Sequence, residues 1–280
     1  MARPNLSYLK NLILVLVGVP CGILTGLTGM TNSYIVVPLL AWLVGIKDAR
    51  LIGSALAITS FSALTGILAY TQHQSIDAGI TVGVAVGFMA GAAGGQKLVA
   101  GKPRAIRAGR GIGALVGFVL AAIMICDAFG KVHVGAFAPH FFRSSLWFVS
   151  SVLLGVLAGF FGRLLDLAGL LIVPALYYIA GAPMFGAQGC AVAILLFNSV
   201  PAALAYARRG LAEPRSSTWV SFGALFGALA GSQAAAKNPN DPLMLTVYAV
   251  VMIMMVGVRV LSTPMKSNDS DKPDEGARRG

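Results

Sequence analysis

Ten apolar segments set the limits on what this chain can fold into. They fall at about 11–28, 33–45, 50–70, 77–97 and 108–127, and again at about 146–162, 167–181, 185–207, 216–236 and 242–262. About 20 mostly apolar residues cross the hydrocarbon core of a bilayer as a helix. No water is present there to take up backbone hydrogen bonds, so only helices and closed barrels can span it. Several of these runs are far longer than the strand of a barrel. Composition agrees, with 57% of the residues hydrophobic and only 11% charged, the profile of a membrane protein. The sequence predicts an all-α polytopic membrane protein.

The formal net charge of +11 would point to nucleic acid in a water-soluble chain. Here the basic residues stand between apolar runs, where they orient helices by the positive-inside rule. With the N-terminus in the cytoplasm, all but Lys131, Arg143, Arg163 and Lys237 of the 21 Lys and Arg residues fall on the cytoplasmic side. Nucleic acid is therefore not an expected partner. The opening residues, with Arg3 and Lys10 ahead of an apolar run, imitate a signal peptide. Pro20 before Cys21 makes a poor processing site, so the segment reads as an uncleaved first helix. Cys21, Cys126 and Cys190 show no metal-ligand spacing and read as packing residues. His133 and His140 read as loop residues rather than metal ligands.

The apolar pattern is interrupted within Cys21–Pro38, where Gly26, Thr28, Gly29, Thr31, Asn32 and Ser33 intervene. Such breaks survive at membrane depth only when buried in protein or lining a cavity, and in secondary transporters they occur in pairs across two repeats. A second copy runs from Gly159 to Pro174. The offset of 136 residues between Pro38 and Pro174 also pairs Gly53 with Gly189, Phe61 with Phe197, Tyr70 with Tyr206, and Gly87, Gly91 and Gly95 with Gly223, Gly227 and Gly231. Five segments per copy would invert the second copy. The charges agree: turn 45–50 is basic and 181–186 uncharged, whereas 71–77 lacks Lys and Arg and 208–215 has Arg208, Arg209 and Arg215. The expected organisation is a first transmembrane repeat at 11–127, an outer connecting loop at 128–145, a second repeat at 146–262 and a disordered cytoplasmic tail at 263–280. Each repeat opens with a helical hairpin broken at its tip. Glycines four apart, at Gly18, Gly22 and Gly26 and in the two later series, predict faces where backbones approach closely.

The candidate substrate-binding residues are those of the breaks. Thr28, Gly29, Thr31, Asn32 and Ser33 either satisfy the interrupted backbone or, with free N–H groups at the following helix start, cradle an anion. Asp166 is the acidic residue that falls inside a broken hairpin, three residues after Arg163. Ionisable groups are costly in a membrane, so both are functional candidates. Arg163 would attract an anion, and Asp166 would neutralise it or carry a proton; a local i, i+3 pair is the plainer alternative. Ser62 and its repeat partner Asn198 either line the same cavity or bond between helices. Tyr70 and Tyr206 end their helices and read as interfacial anchors.

Gly22-Ile-Leu-Thr-Gly-Leu-Thr-Gly-Met-Thr-Asn-Ser-Tyr-Ile-Val-Val-Pro38 with Gly53–Tyr70, and their second-half counterparts, resemble the sulfite exporter TauE/SafE family over about residues 11–262. The resemblance implies an inner-membrane transporter, generally an exporter, of sulfur-containing anions such as sulfite and sulfonates. The family pattern places a cluster roughly of the form G-x-G-G-G after the first break. Here Gly29 is kept, and Thr31, Asn32 and Ser33 stand where further glycines would be expected. The second copy carries Arg163-Leu-Leu-Asp166 and, paired glycine to glycine across the breaks, runs three residues longer to its proline. The expected partners are a small anionic substrate and the lipid bilayer, with a homo-oligomer left open; no cofactor or metal is expected. The alternatives are a same-fold carrier of another small anion such as a carboxylate, a non-transporting assembly subunit, or a membrane enzyme. No Ser/His or Cys/His arrangement or paired membrane acids favour the enzyme.

Overall fold

The computed structural model describes residues 6–31, 33–44, 49–73, 76–130, 146–167 and 169–261. Asn32, His133, His140 and the expected tail lie outside them. Among the described residues there are ten helices and no strand, each helix on one of the ten apolar segments: α1 Leu6–Thr28, α2 Ser33–Val44, α3 Ala49–Gln72, α4 Ala78–Val99, α5 Pro103–Ala128, α6 Trp147–Leu164, α7 Ile172–Tyr178, α8 Met184–Arg208, α9 Pro214–Lys237 and α10 Asp241–Leu261. Seven of them, α1, α3, α4, α5, α6, α8 and α10, are long and apolar enough to cross a membrane. The short helices α2 and α7 follow the two breaks. Helix α9 has 24 residues, but its composition is rich in Gly, Ala and Ser, as suits a helix packed on both α1 and α3.

Close backbone contact between specific helix pairs holds the bundle together. Gly18, Gly22 and Gly26 of α1 lie against Val220, Ala224 and Ala228 of α9; a Cβ on Gly22 would stand 2.0 Å from the Ala224 carbonyl oxygen. In return Gly223, Gly227 and Gly231 of α9 lie against Val15, Val19 and Ile23. Both series increase together, so the two helices run parallel. Helices α4 and α6 repeat the arrangement: Gly155 and Gly159 meet Val84 and Phe88, while Gly87, Gly91 and Gly95 meet Val152, Val156 and Phe160. Glycine spaced by four leaves no side chain between two backbones, and dispersion over that length replaces the hydrophobic effect that lipid cannot supply.

The two pairs share one register. Val84 stands to Gly155 as Val220 does to Gly18, and Phe88 to Gly159 as Ala224 does to Gly22. In this register Gly159 takes the place of Gly22, and it stands one residue nearer to Pro174 than Gly22 does to Pro38. The three-residue extension came from pairing Gly162 with Gly29, which lie on different sides of their helix ends. Each pair also joins a helix of the first half to one of the second. Helix α3 packs on α8 and α9, and α5 packs on α10. The halves are interleaved, and neither buries its glycine faces alone.

Gly22→Leu should destabilise the bundle by about 3 kcal/mol or prevent its assembly, because the obstacle is backbone that cannot yield. Gly111→Leu, with nothing within 4 Å of its Cβ position, should change the melting temperature in detergent little. Equal effects would contradict the packing described.

Candidate functional site

Helix α1 ends at Thr28 because Gly29 takes φ +70°, the left-handed turn that glycine adopts without steric cost. The Gly29 N–H donates to the Thr25 carbonyl at 2.8 Å. The Thr28 hydroxyl donates to the Leu24 carbonyl at 2.6 Å and accepts from the Met30 N–H at 3.2 Å. Thr31 Oγ1 accepts from the Ser33 N–H at 3.4 Å and lies 3.0 Å from Ser33 Oγ, capping the start of α2. Tyr70 does not face an interface as expected. It is fully buried, and its hydroxyl donates to the Gly26 carbonyl at 2.8 Å. A tyrosine at a helix end suits either role; the carbonyl freed near the end of α1 decided it.

The second break is built differently. Helix α6 closes with Leu167 N–H on the Gly162 carbonyl at 2.6 Å and Asp166 N–H on the Arg163 carbonyl at 3.3 Å, the paired bonds of a Schellman turn. Its left-handed position, φ +57°, is held by Asp166 rather than glycine. Turned off the helix face, the Asp166 carboxylate does not pair with Arg163 in the structure's ion pairs. It pairs with Arg259 of α10 and with Nε of Arg110 of α5, the latter at 3.2 Å. Arg259 also donates to the Asp166 carbonyl, which receives the Tyr34 hydroxyl of α2 at 2.9 Å. The Arg259 guanidinium lies 4.9 Å from the centre of the Tyr34 ring, a cation–π contact. Its side chain is 16% exposed against 48% for Arg110, so Arg259 depends more on the carboxylate. Arg163 remains exposed, its Cβ over Gly95.

These contacts bring the two tips together. Tyr34 reaches from α2 to Asp166, and a Cβ on Gly169 would stand 2.5 Å from Thr31 Cγ2. The first tip rests on α8, where a Cβ on Gly29 would stand 2.7 Å from the Gln188 carbonyl oxygen and 3.2 Å from Ala191 Cβ. Gln188 is fully buried, and neither atom of its amide has a hydrogen-bond partner. Leaving a buried polar group unsatisfied costs about 1–3 kcal/mol. The Ser62 hydroxyl donates to the Ile58 carbonyl at 2.9 Å, and the Asn198 amide donates to the Ile194 carbonyl at 2.7 Å. Ser60 Oγ donates to Ser199 Oγ at 3.0 Å, a polar link from α3 to α8. An open groove beside α1 and α2, of about 400 Å³ and bounded by Ile13, Leu16, Leu24 and Leu39, is apolar and unsuited to an anion.

Sequence reasoning missed Arg110, Arg259, Tyr34 and Gln188. The two arginines were absorbed by the positive-inside reading. Gln188 carried the same signal as Asp166, a polar group inside an apolar helix.

Because glycine bears no Cβ at positive φ, Asp166→Gly should be about 1 kcal/mol more stable than Asp166→Ala in detergent melts, both falling below the parent. Equal stabilities would mean the left-handed turn is not held.

The resemblance noted from the sequence is borne out for the first half: residues 2–125, from α1 into the last turn of α5, match the family described as Sulfite exporter TauE/SafE. No match was found among curated proteins or solved structures.

Proposed function

We propose, from the match of residues 2–125 to a family of sulfite exporters, that this multi-pass membrane protein is a secondary transporter exporting a small sulfur-containing anion across a bacterial inner membrane. The observation that carries this reading is the meeting of two broken hairpins, Thr31 against Gly169 and Tyr34 on Asp166. Broken helices that converge inside a bundle are the binding element of many carriers. In this reading the halves are inverted repeats and both termini are cytoplasmic. The exchange of partners between α1–α9 and α4–α6 supports a two-fold relation of this kind.

The residues give the cycle a chemical logic. Arg110, Arg163 and Arg259 bring three positive charges to the second tip, and Asp166 supplies one negative charge. The carboxylate holds two of the arginines while the tips are closed. An incoming anion competes for these guanidinium groups, which suit planar or tetrahedral oxyanions. Once displaced, Asp166 loses the partners that fix its left-handed turn, and the tip can separate from Tyr34. The first tip, with Thr28, Gly29, Thr31 and Ser33, forms the opposite wall. Asn198 belongs to packing in this reading, since its amide bonds its own helix, and Ser62 stays a candidate beside the first tip.

A second reading has its own support. The arginines already hold a carboxylate, that of Asp166, so a carboxylate cargo suits the same geometry.

Thermal stability of the purified protein against sulfite, thiosulfate, sulfate, a short sulfonate, acetate and chloride, at fixed ionic strength, separates these readings. A ligand at 100 times its Kd adds about 2.7 kcal/mol. Selective stabilisation by a sulfur anion, lost in Arg163→Ala, is the expected result. Stabilisation by acetate alone would favour the carboxylate, and identical behaviour of all six would contradict an anion site at the tips.

A further inference from the structure

We propose that Gln188 is a specificity-determining residue of the transport site, donating from Nε2 to an oxygen of the small oxyanion held against the first tip. The inference rests on the transport reading above and names the contact that reads the oxygens of the cargo. Among the described residues, the buried side-chain polar atoms without a partner are both amide atoms of Gln188 and the hydroxyl of Ser221. Buried polar groups in folded proteins are nearly always hydrogen-bonded, so an amide with both ends unused is unusual.

Its place in the fold makes it informative. Gln188 lies one turn into α8, and a Cβ on Gly29 would stand 3.3 Å from the Gln188 Cα. The break in α1 therefore lies directly on the turn of α8 that carries this side chain. The neighbouring hydroxyls are committed elsewhere. Thr25 donates to the Cys21 carbonyl at 3.2 Å, and Thr28 donates to the Leu24 carbonyl while accepting from Met30. Among the described residues beside this break, Gln188 keeps both atoms of its amide unpartnered. Nothing in the α8 packing calls for an amide: the flanking residues Ala187, Gly189, Cys190 and Ala191 are small and buried.

The chemistry follows from the group. A neutral amide donates without adding charge, so it reads the oxygens of an anion rather than its charge. Oε1 accepts from a hydroxyl of the cargo or from a water that enters with it. A halide offers one soft acceptor and no donor, so it uses half of the amide.

Binding of sulfite to the full-length protein in detergent, measured by titration calorimetry beside thermal melts, tests the assignment with Gln188→Leu. Removing two unpartnered polar atoms should leave the ligand-free melting temperature equal or higher, while the sulfite Kd rises at least tenfold. An unchanged Kd in Gln188→Leu, with sulfite still bound by the parent, overturns the role of Gln188 and leaves the transport reading intact. Failure of the parent to bind sulfite, thiosulfate or a sulfonate overturns the sulfur-anion reading and this assignment with it. Should Gln188→Leu fail to insert, Gln188→Met keeps the length of the side chain and gives the same two readouts.

Discussion

Backbone groups freed by a broken helix have no water to turn to inside a bilayer, and the rest of this structure follows from how they are satisfied. At the first break the partners are local: the hydroxyls of Thr28 and Thr31 and the left-handed turn at Gly29. One partner comes from further away, the Tyr70 hydroxyl on the Gly26 carbonyl. At the second break a Schellman turn supplies two local bonds, while the carbonyl and carboxylate of Asp166 take partners from three other helices, through Arg110, Arg259 and Tyr34. The first tip is thus largely self-contained, while the second is held by charges that another anion can claim. In the proposed transport cycle, that asymmetry makes the Asp166 tip the moving part and the Gly29 tip the fixed wall.

In that proposed cycle the glycine faces are the rigid frame. Helix α1 is bound to α9 and α6 to α4 along faces where no side chain intervenes. Each broken helix is therefore anchored to an unbroken one into its last turn, through Gly26 in α1 and Arg163 in α6. Motion at the tips need not disturb the stems, because van der Waals contact between backbones is lost steeply with separation. Interleaving of the halves also makes the frame common to both tips.

Much of the fold was legible because membrane helices are written in long, simple patterns. Glycine at every fourth position identified the packing faces of α1, α4 and α9, but periodicity names a face and not its partner, so α9 beside α1 was not readable. Asp166 stood out through the cost of an acid in an apolar environment. Its partners did not, since Arg110 and Arg259 lie near helix ends where positive charge is ordinary. Tyr70 was misread because an aromatic ring at a helix end satisfies two demands equally well, and only the position of the Gly26 carbonyl distinguishes them. At the breaks Gly29 and Gly162 look alike in sequence and differ in backbone, the first in a left-handed turn after its helix and the second inside its helix.

The most direct test of the account is a cross-link between the tips. With the native cysteines replaced, Thr31→Cys and Gly169→Cys place two thiols where a Cβ already approaches the threonine side chain. Anion flux in proteoliposomes is then followed before oxidation, after oxidation and after reduction. Separation of the tips during transport predicts that the disulfide stops flux and that reduction restores it. Undiminished flux in fully cross-linked protein would contradict the claim that the two broken hairpins form the gate.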